Sequence, residues 1–470
     1  MTVIVDENVR FEARVPVLII GAGACGLVAG LTVKEFGADV VILERDAIPR
    51  GSTSLSSGMI PACNTRFQKE NGVRDSTEQF AEDIFFKAKG NVDRDVVLSV
   101  CEESGRTVEW LVDCYGVQLQ LVKGFLYPGH TALRMHAPPS RTGAELIESL
   151  VAACERVGID ILTNAQVTKL FSTASGMIRG VEISRPNNSR ELIGCEALIL
   201  ACNGYGGSPK MVEEFIPEIS NAIFAGHDGN QGDAVLWGRK LGAAICDMGA
   251  YQGHGSWAVP SGILITWAVM TEGGIQVNCS GKRFANEHEG YSEAAVKVLA
   301  QEKGLAWNIY DSRIHEIALD FEDYRSAETV GAIKSAENIP QLAEICGISL
   351  SALARTITHC KKLAIGEGQC SFGRNFAKKP PLKAPYYAVC VTGALFHTQG
   401  GLAVDTQARV LQSNGIAFPN LFAGGGAARG VSGYAVWGYL SGNGLLTAVT
   451  LGRISGRSAV AQVKGKISEK

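Results

Sequence analysis

Three glycines near the start of the chain have the spacing of a phosphate-binding turn. The apolar stretch VPVLII at 15–20 predicts a buried strand, GAGACG follows it, and LVAGLTVKEFG reads as a helix. Gly21 is expected to make the tight turn, Gly23 to admit a pyrophosphate close to the backbone, and Gly26 to let helix and strand pack closely. The N–H groups at the helix N-terminus would then face the phosphates.

The next strand ends in an acidic residue, which completes a dinucleotide-binding pattern. ADVVILE predicts a second buried strand that ends at Glu44, whose carboxylate is expected to accept hydrogen bonds from a ribose. The following loop, ERDAIPRGSTSLSSGMIPAC, offers hydroxyl and N–H groups beside a pyrophosphate, or else is a plain solvated loop. Together these features predict a nucleotide-binding domain of the α/β class.

Two tyrosines are further candidates for chemistry. Tyr291, in GKRFANEHEGYSE at 281–293, is either a solvent-exposed loop tyrosine or a group whose hydroxyl transfers protons. Tyr439, in GYLSGNG, is either functional or a core aromatic on an amphipathic stretch with Tyr434 and Trp437. The residue pattern alone leaves both alternatives open.

Composition excludes several classes of function. The chain has 470 residues, which predicts two domains or one large domain with an insertion, and its formal net charge is −3, which argues against nucleic-acid binding. The N-terminal residues do not read as a signal peptide, and we find no apolar run long enough for a transmembrane segment. The 13 cysteines form no CxxC motif, so we expect reduced thiols in a cytoplasmic protein without a metal site or covalent haem.

Two later segments have the same form as the first. ELIGCEALILACNGYGG at 191–207 is an apolar strand ending in a glycine loop, and 419–456 reads as strand, glycine loop and helix. Two distant segments of this kind suggest one nucleotide-binding domain interrupted by an insertion. We place that domain at 1–248 and 394–470, and the insertion at 249–393.

These segments together resemble the flavoprotein family of succinate dehydrogenases, fumarate reductases and 3-ketosteroid dehydrogenases. The motifs that match in order, over nearly the whole chain, are GAGACG, GSTSLSSG, GNQGDA, GKRFANE, HTQGGL and SGNGLLTAVTLGR. The resemblance implies a Rossmann-type FAD-binding domain interrupted by an inserted α+β capping domain. Ser52 stands where members with covalent flavin carry a histidine, which implies non-covalent FAD. Gly426 stands where the family has an acidic residue on the ribityl chain, and is expected to leave room for substrate or water.

The residues expected to bind FAD lie at or beside the matched motifs. They are Gly21, Gly23, Ala24, Cys25, Gly26, Glu44, Arg45, Ser52, Thr53, Ser56, Ser57, Gly58, Val167, Ala201, Gly204, Gly232, Asp233, Gly425, Gly442, Leu445 and Leu446.

The resemblance also assigns roles to the two tyrosines. Fumarate reductases carry a proton-donating arginine where Tyr291 stands, and a carboxylate-binding arginine where Tyr439 stands. Tyrosine at both positions is similar to the 3-ketosteroid dehydrogenase branch, which desaturates the α,β bond of a ketone. Tyr291 is then the base for the α-proton, and Tyr439 polarises the carbonyl with a backbone N–H near Gly442 or Asn443. The β-hydrogen leaves as hydride to the flavin.

Three other polar residues complicate the choice of substrate. His254, Thr266 and His397 fall where fumarate reductases bind substrate carboxylate. They fit a cyclic ketone that carries a carboxylate, such as an oxocyclohexanecarboxylate, or they are structural beside a plain cyclohexanone or a steroid. Ketosteroid dehydrogenases also use a tyrosine from the N-terminal half, but neither Tyr115 nor Tyr127 matches a motif well enough to assign.

Three alternatives to ketone desaturation remain open. They are reduction of an enone or of a fumarate-like alkene, isomerisation of a C=C bond without net redox change, and flavin binding without catalysis. The sequence has no haem motif that would supply electrons, which favours dehydrogenation. The expected partners are a small ketone and an external electron acceptor, such as a quinone, O2 or another carrier.

Overall fold

The computed structural model describes residues 1–468 as alternating strands and helices. The strands are Thr2–Val5 (β1), Ala13–Ile20 (β2), Val40–Leu43 (β3), Ile60–Pro61 (β4), Gln120–Leu121 (β5), Met135–Ala137 (β6), Asp160–Leu162 (β7), Gln166–Ser172 (β8), Ile178–Ser184 (β9), Arg190–Leu200 (β10), Ile223–Phe224 (β11), Ile245–Cys246 (β12), Tyr251–Ala258 (β13), Ile263–Leu264 (β14), Ile275–Val277 (β15), Leu305–Asp311 (β16), Lys334–Ala336 (β17), Tyr386–Thr398 (β18), Gly401–Leu402 (β19), Arg409–Leu411 (β20) and Ala417–Ala423 (β21).

The helices include one long C-terminal helix and fourteen shorter ones within the described residues. They are Ala24–Glu35 (α1), Gly51–Ser54 (α2), Arg66–Glu70 (α3), Thr77–Lys87 (α4), Arg94–Tyr115 (α5), Gly143–Arg156 (α6), Pro209–Phe215 (α7), Asp233–Leu241 (α8), Ala268–Thr271 (α9), Tyr291–Leu299 (α10), Ser312–Ala318 (α11), Glu322–Thr329 (α12), Ile339–Cys346 (α13), Leu350–Ala364 (α14) and Asn443–Ser468 (α15). Among the helices of residues 1–468, none combines the length and hydropathy that a membrane span requires.

The chain divides into two compact units. The first unit comprises Met1–Ile216, Gly226–Tyr251 and His397–Lys470. The second comprises Pro217–Ala225 and Gln252–Phe396. The short segment before Gly226 joins the second unit because β11 pairs in parallel with β18, through Ile223 and Phe224.

The first unit is built on a nine-stranded sheet, with the strand order β1-β8-β9-β10-β2-β3-β7 and with β21 and β20 continuing from β10. Strands β10, β2, β3 and β7 are parallel. Alternate residues of β2 enter two different apolar clusters: Leu18 and Ile20 enter one, and Val17 and Ile19 enter the other. Both faces of β2 are therefore covered, which explains its continuous apolar sequence and confirms the α/β prediction.

Helices α1 and α15 lie against each other at very short range. A Cβ atom at Gly452 of α15 would lie 2.6 Å from the Cys25 carbonyl oxygen, and one at Gly456 would lie 2.7 Å from the Ala29 carbonyl oxygen. Neither position therefore accepts a side chain without displacing α1. The close contact fixes α15 against the helix that follows the glycine turn.

The second unit contains a seven-stranded sheet in the order β14-β13-β18-β16-β15, with β11 and β17 also paired to β18. Strand β16 runs antiparallel to β18 over seven residue pairs, from Leu305 opposite Thr392 to Asp311 opposite Tyr386. Helices α9 to α14 belong to this unit, and their apolar residues form one cluster with the sheet. This sheet and its helices carry the loop that precedes Tyr291.

A buried carboxylate holds that loop in place. Glu287 accepts hydrogen bonds from Arg283 Nε at 2.7 Å and Nη2 at 2.5 Å, and Arg374 Nη1 lies 3.0 Å from its Oε2 atom. The backbone N–H of Gln276 also donates to Glu287 at 3.2 Å. Burial alone would raise the pKa of Glu287, but the bond from Arg283 and the charges of Arg374 and Arg283 hold it below its ordinary value. Arg283 and Glu287, four residues apart in GKRFANE, thus form a buried ion pair that holds the loop.

Replacing Glu287 by glutamine should strongly destabilise the protein. The substitution Glu287→Gln leaves two buried guanidinium groups without a carboxylate, and breaking a buried pair in this way costs about 3–5 kcal/mol. Urea unfolding followed by circular dichroism measures the loss. The control Glu344→Gln removes an exposed carboxylate from α13 and should change the free energy of unfolding by less than about 0.5 kcal/mol. Equal stability of the two variants would contradict the role given to Glu287.

Candidate active site

The turn between β2 and α1 needs glycine at two positions for different reasons. Gly21 has φ +106°, and a Cβ atom there would lie 2.5 Å from the Ala201 carbonyl oxygen. A Cβ atom at Gly26 would lie 1.8 Å from the Gly21 carbonyl oxygen. Both glycines are therefore required by the packing of the turn itself, before any ligand is considered.

Gly23 is different, because a Cβ atom there would make only one ordinary van der Waals contact within 4 Å. The nearest atom to a Cβ at Gly23 would be Thr53 Oγ1 at 3.7 Å, and no side chain caps the helix at this residue. The N–H of Ala24 donates to Thr53 Oγ1 at 3.2 Å. Cys25 is the second residue of α1. Burial raises the pKa of its thiol to about 12, so the thiol stays protonated. A glycine that permits close approach at the N-terminus of α1 fits the pyrophosphate of a dinucleotide.

Glu44 braces the same turn from the end of β3. Its side chain is buried, and its two oxygens accept hydrogen bonds from the backbone N–H groups of Ala22 at 2.9 Å and Asp46 at 3.0 Å. Burial raises the pKa of Glu44, while these two backbone bonds lower it. Each carboxylate oxygen has a second lone pair, so the ribose contact predicted from the sequence remains compatible with this geometry.

Some hydroxyl groups of the serine-rich loop are already used in hydrogen bonds within the protein. Ser52 Oγ accepts a hydrogen bond from Asn230 Nδ2 at 2.7 Å. Ser56 Oγ donates to the Thr53 carbonyl at 2.7 Å and accepts from the Gly58 N–H at 3.1 Å, so it closes the loop. Ser57 is half-buried. Ser52 and Ser57 are therefore better placed than Ser56 to offer a hydroxyl to a cofactor.

Several other predicted cofactor residues contact one another around the start of α8. Arg45 Nη1 donates to the Gly229 carbonyl at 2.9 Å, and the Gly232 N–H donates to the Gly204 carbonyl at 2.9 Å. Burial raises the pKa of Asp233, and the charge of Arg45 acts against that rise. Two further predicted residues have backbone partners in the sheet. Val167 of β8 pairs with Ile183 of β9, and the Ala201 N–H, just after β10, donates to the Ile20 carbonyl at 2.8 Å.

The room expected at Gly426 is filled by another residue. A Cβ atom at Gly426 would lie 2.2 Å from Asn203 Oδ1, which itself accepts a hydrogen bond from the Gly204 N–H at 2.8 Å. The expectation that this glycine leaves space for substrate or water is therefore wrong on the side where its side chain would project. Asn203 has φ +63°, and an asparagine before a glycine in ACNGYGG was the available signal for it.

In the second unit, Tyr291 is the first residue of α10 and lies in a cluster of aromatic rings. Its ring stacks on His254 with the centroids 4.8 Å apart and the planes 21° apart, and it meets Trp267 edge-on at 6.4 Å. Phe396 lies 5.9 Å from the His254 ring. The Ser292 hydroxyl donates to the Gly253 carbonyl at 3.2 Å, which fixes the start of α10 against β13. The structure therefore brings together two residues that the sequence had singled out separately, Tyr291 and His254.

His254 in this cluster and Thr266, the residue before Trp267, are both neutral polar groups. His254 Nδ1 accepts a hydrogen bond from the Ser256 N–H at 3.2 Å, which leaves the proton of the neutral ring on Nε2. Burial lowers the pKa of His254 to about 3, so the ring is uncharged near pH 7. Thr266 Oγ1 accepts from the Ala268 N–H at 3.3 Å at the start of α9 and keeps its own O–H to donate.

In the first unit, His397 meets Tyr439 edge-on, with the ring centroids 5.6 Å apart. Burial lowers the pKa of His397 to about 4, so this ring is also uncharged. Its Nδ1 atom lies 3.2 Å from Gln399 Nε2, and Gln399 Oε1 accepts from the Ser432 hydroxyl at 2.8 Å. Asn443 Nδ2 donates to Ser432 Oγ at 3.0 Å. Gln399 and Ser432 were missed from the sequence, although Gln399 lies inside the matched motif HTQGGL.

The two backbone N–H groups proposed from the sequence to polarise the carbonyl, those of Gly442 and Asn443, lie where α15 begins. Gly442 has φ +85°, and Asn443 is the first residue of α15. The Asn443 N–H donates to the Leu440 carbonyl at 3.1 Å, so of the two candidate N–H groups we retain that of Gly442. Leu446 donates its N–H to the Gly442 carbonyl at 2.9 Å and is buried, whereas Leu445 is half-buried.

The two N-terminal tyrosines do not have the properties of a base. The Tyr115 hydroxyl donates to the Leu31 carbonyl at 3.3 Å, and the Tyr127 hydroxyl donates to Met59 Sδ at 3.1 Å. Burial raises the pKa of both phenols to about 12. Within residues 1–468, no group of three or more His, Cys, Asp or Glu side chains stands where it could hold a metal ion, and the cysteines are free thiols.

Comparison with known proteins extends over almost the whole chain. The chain is 30% identical over 452 residues to a protein described as a probable fumarate reductase of Shewanella frigidimarina (strain NCIMB 400), an alignment that covers 96% of this chain and 75% of that protein. The open conformation of a flavocytochrome c3 fumarate reductase matches with a TM-score of 0.81 and 28% identity, over 96% of this chain and 79% of that one.

A third protein shares the fold at lower identity. The 3-ketosteroid-Δ4-(5α)-dehydrogenase of Rhodococcus jostii RHA1, solved with 4-androstene-3,17-dione, matches with a TM-score of 0.78 and 24% identity, over 98% of this chain and all 100% of that one. These matches confirm the resemblance and the Rossmann-type fold. The FAD binding domain family matches residues 16–445. The chain therefore belongs to the FAD binding domain family and is an FAD-dependent oxidoreductase.

Proposed function

We propose that the protein desaturates the α,β bond of a neutral cyclic ketone. The observation that carries this proposal is Tyr291, which stands at the start of α10 and stacks on an uncharged histidine within a cluster of aromatic rings. An aromatic, uncharged surrounding suits an apolar ring with one carbonyl group. A cyclohexanone or a 3-ketosteroid is a substrate of this kind.

The uncharged histidines argue against a dicarboxylate substrate. His254 and His397 have pKa values lowered to about 3 and about 4, so neither brings a positive charge near pH 7. A buried carboxylate needs a cationic partner or several hydrogen bonds, and tyrosines stand where the reductases of this family carry two arginines. Neutral donors such as His254 Nε2–H and the Thr266 hydroxyl are sufficient for a neutral polar group on a ring.

The first chemical requirement is to make a C–H bond beside a carbonyl acidic. We assign the polarisation of the carbonyl oxygen to the Tyr439 hydroxyl and to the Gly442 N–H at the N-terminus of α15. Helix α15 spans 26 residues, and the positive end of its dipole favours the oxyanion that develops there. Tyr291 then takes the α-proton as general base.

The second requirement is an acceptor for the hydride. When bound, FAD supplies that acceptor for the hydride that leaves the β-carbon. The turn at Gly21–Gly26, Glu44, Ser52 and the loop before α15 are the residues we propose to hold it, and the serine at position 52 favours non-covalent binding. An external electron acceptor, such as a quinone or O2, takes up the reducing equivalents.

Reduction of an enone is the second candidate. Two of the three proteins named above are described as fumarate reductases, and reduction of a C=C bond beside a carbonyl uses the same polarising groups in the reverse direction. In this candidate Tyr291 donates a proton to the α-carbon instead of removing one.

The substitution Tyr291→Phe should abolish turnover while the protein keeps its fold and its FAD. Phenylalanine retains the ring that stacks on His254 but loses the proton-transfer group, which is worth about 10²–10⁴-fold in rate. Ketone oxidation with an artificial electron acceptor measures the activity, and flavin absorbance measures FAD content.

A matched control is available in the same unit. Tyr387 also stacks on a histidine, His315, with the ring centroids 4.1 Å apart, so Tyr387→Phe removes a hydroxyl from a similar ring pair. That variant should keep its activity within about threefold, because phenylalanine keeps the ring contact and the lost half-buried hydroxyl has no part in the proposed chemistry. Near-normal turnover by Tyr291→Phe would contradict the base assignment.

The substitution Tyr439→Phe should lower kcat by about a hundredfold, because it removes one donor to the developing oxyanion and leaves the ring packed on His397. KM for the ketone should change much less than kcat, since the lost interaction is strongest in the transition state. Steady-state kinetics with the exposed Tyr434→Phe variant as control provides the measurement. A rise in KM at unchanged kcat would instead make Tyr439 a binding residue only.

A further inference from the structure

The peptide group between Ser441 and Gly442 is held by contacts on both sides. A Cβ atom at Gly442 would lie 2.7 Å from Pro61 Cδ, so this residue packs directly on β4. Within residues 1–468 the cis peptide bonds are at Pro260 and Pro385, so the bond between Ser441 and Gly442 is trans. In a planar trans peptide the C=O and the N–H point in opposite directions. Whatever holds the Ser441 carbonyl therefore also sets the direction of the Gly442 N–H.

The group that holds this carbonyl is the imidazole of His130. Its Nε2 atom lies 2.9 Å from the Ser441 carbonyl oxygen, and its side chain is buried. Its Nδ1 atom lies 3.3 Å from Arg134 Nη1. Because a guanidinium group can only donate, Nδ1 must accept, and the proton of the neutral ring is on Nε2. His130 thus donates to Ser441, and the tautomer that does so is imposed by Arg134.

Arg134 is itself fixed in the interior of the first unit. Its Nε and Nη2 atoms each donate to Asp75 at 2.8 Å, and its Nη1 atom also donates to Asp83. The side chains of Arg134 and Asp75 are fully buried. Thr131 donates both its N–H and its hydroxyl to Asp83, at 2.8 and 2.9 Å, which ties the backbone next to His130 to the same ion pair. Two carboxylates and one guanidinium group therefore determine where His130 lies.

We infer that His130 is a positioning residue for the reaction: its bond to the Ser441 carbonyl aims the Gly442 N–H at the substrate oxygen. The inference rests on the proposed function, in which that N–H polarises the ketone. His130 does not touch the reacting atoms and acts only through the Ser441–Gly442 peptide. Arg134, which Asp75 and Asp83 hold in place, keeps the imidazole in the donating tautomer.

The test compares three histidine variants of the FAD-loaded protein. His130→Phe removes the donor and keeps a ring of similar size, and His130→Gln retains an N–H close to the place of Nε2. His136→Phe is the matched control: His136 is also fully buried, and it lies 2.9 Å from Thr65 Oγ1 and 2.7 Å from the Arg134 carbonyl. FAD content and thermal unfolding show whether each variant is folded.

Two readouts separate positioning from general damage. We expect His130→Phe to lower kcat for ketone oxidation by about tenfold to a hundredfold, because a donor that is misplaced by about 1 Å can cost about a hundredfold in rate. KM should change by less than about threefold. The second readout is the affinity for 4-nitrophenolate, whose phenolate oxygen carries a negative charge like the enolate oxygen of a cyclic ketone. This affinity should fall together with kcat. His130→Gln should restore both quantities, and His136→Phe should leave both near the wild-type values.

The outcomes distinguish the inference from the proposed function. Wild-type protein that oxidises no ketone and reduces no enone would overturn both. An active wild type whose kcat and phenolate affinity are unaffected by His130→Phe would overturn the inference alone, as would an equal loss in His136→Phe. If His130→Phe does not fold, His130→Asn takes its place with the same expected loss, because the shorter amide does not reach the Ser441 carbonyl.

Discussion

Buried arginines neutralised by carboxylates anchor the segments on which the proposed chemistry depends. In the second unit, Glu287 binds Arg283 and Arg374 and fixes the loop that leads to Tyr291. In the first unit, Arg134 binds Asp75 and Asp83 and, through His130, holds the peptide before α15. A buried pair of this kind is costly to break, so each loop has one strongly preferred position. The charges of Arg134, Arg283 and Arg374 are neutralised in these pairs, so we assign none of the three to substrate binding.

The groups that we propose to contact the substrate are neutral. His254 and His397 are uncharged because burial opposes their protonation, and the remaining candidates are hydroxyl and backbone N–H groups. Such groups bind a carbonyl oxygen well and stabilise the negative charge that develops on it during proton removal. They are less suited to a ground-state dicarboxylate, for which arginine provides charge and paired hydrogen bonds. The same polarising groups serve oxidation and reduction, so the direction depends on the cofactor potential and the electron carrier.

Local patterns predicted much of this protein, and contacts between distant residues account for what they missed. The strand, glycine turn, helix and acid of the first 44 residues follow from residue type and spacing, and the structure places them as β2, α1, β3 and Glu44. Tyr291 and His254 were both singled out, but only the fold shows their rings stacked. The space expected at Gly426 is taken by Asn203, more than two hundred positions earlier in the chain. Likewise, the bond from His130 to Ser441 joins residues 311 positions apart, which no local pattern encodes.

The most direct test is anaerobic mixing of the oxidised, FAD-loaded protein with cyclohexanone, a 3-ketosteroid, 4-oxocyclohexanecarboxylate and succinate. The absorbance of oxidised flavin at about 450 nm reports electron transfer from the substrate. The account predicts that a neutral cyclic ketone bleaches this band and that succinate does not. The contradicting result is an unchanged band with every ketone, together with reoxidation of dithionite-reduced protein by fumarate, which would make the protein a dicarboxylate reductase.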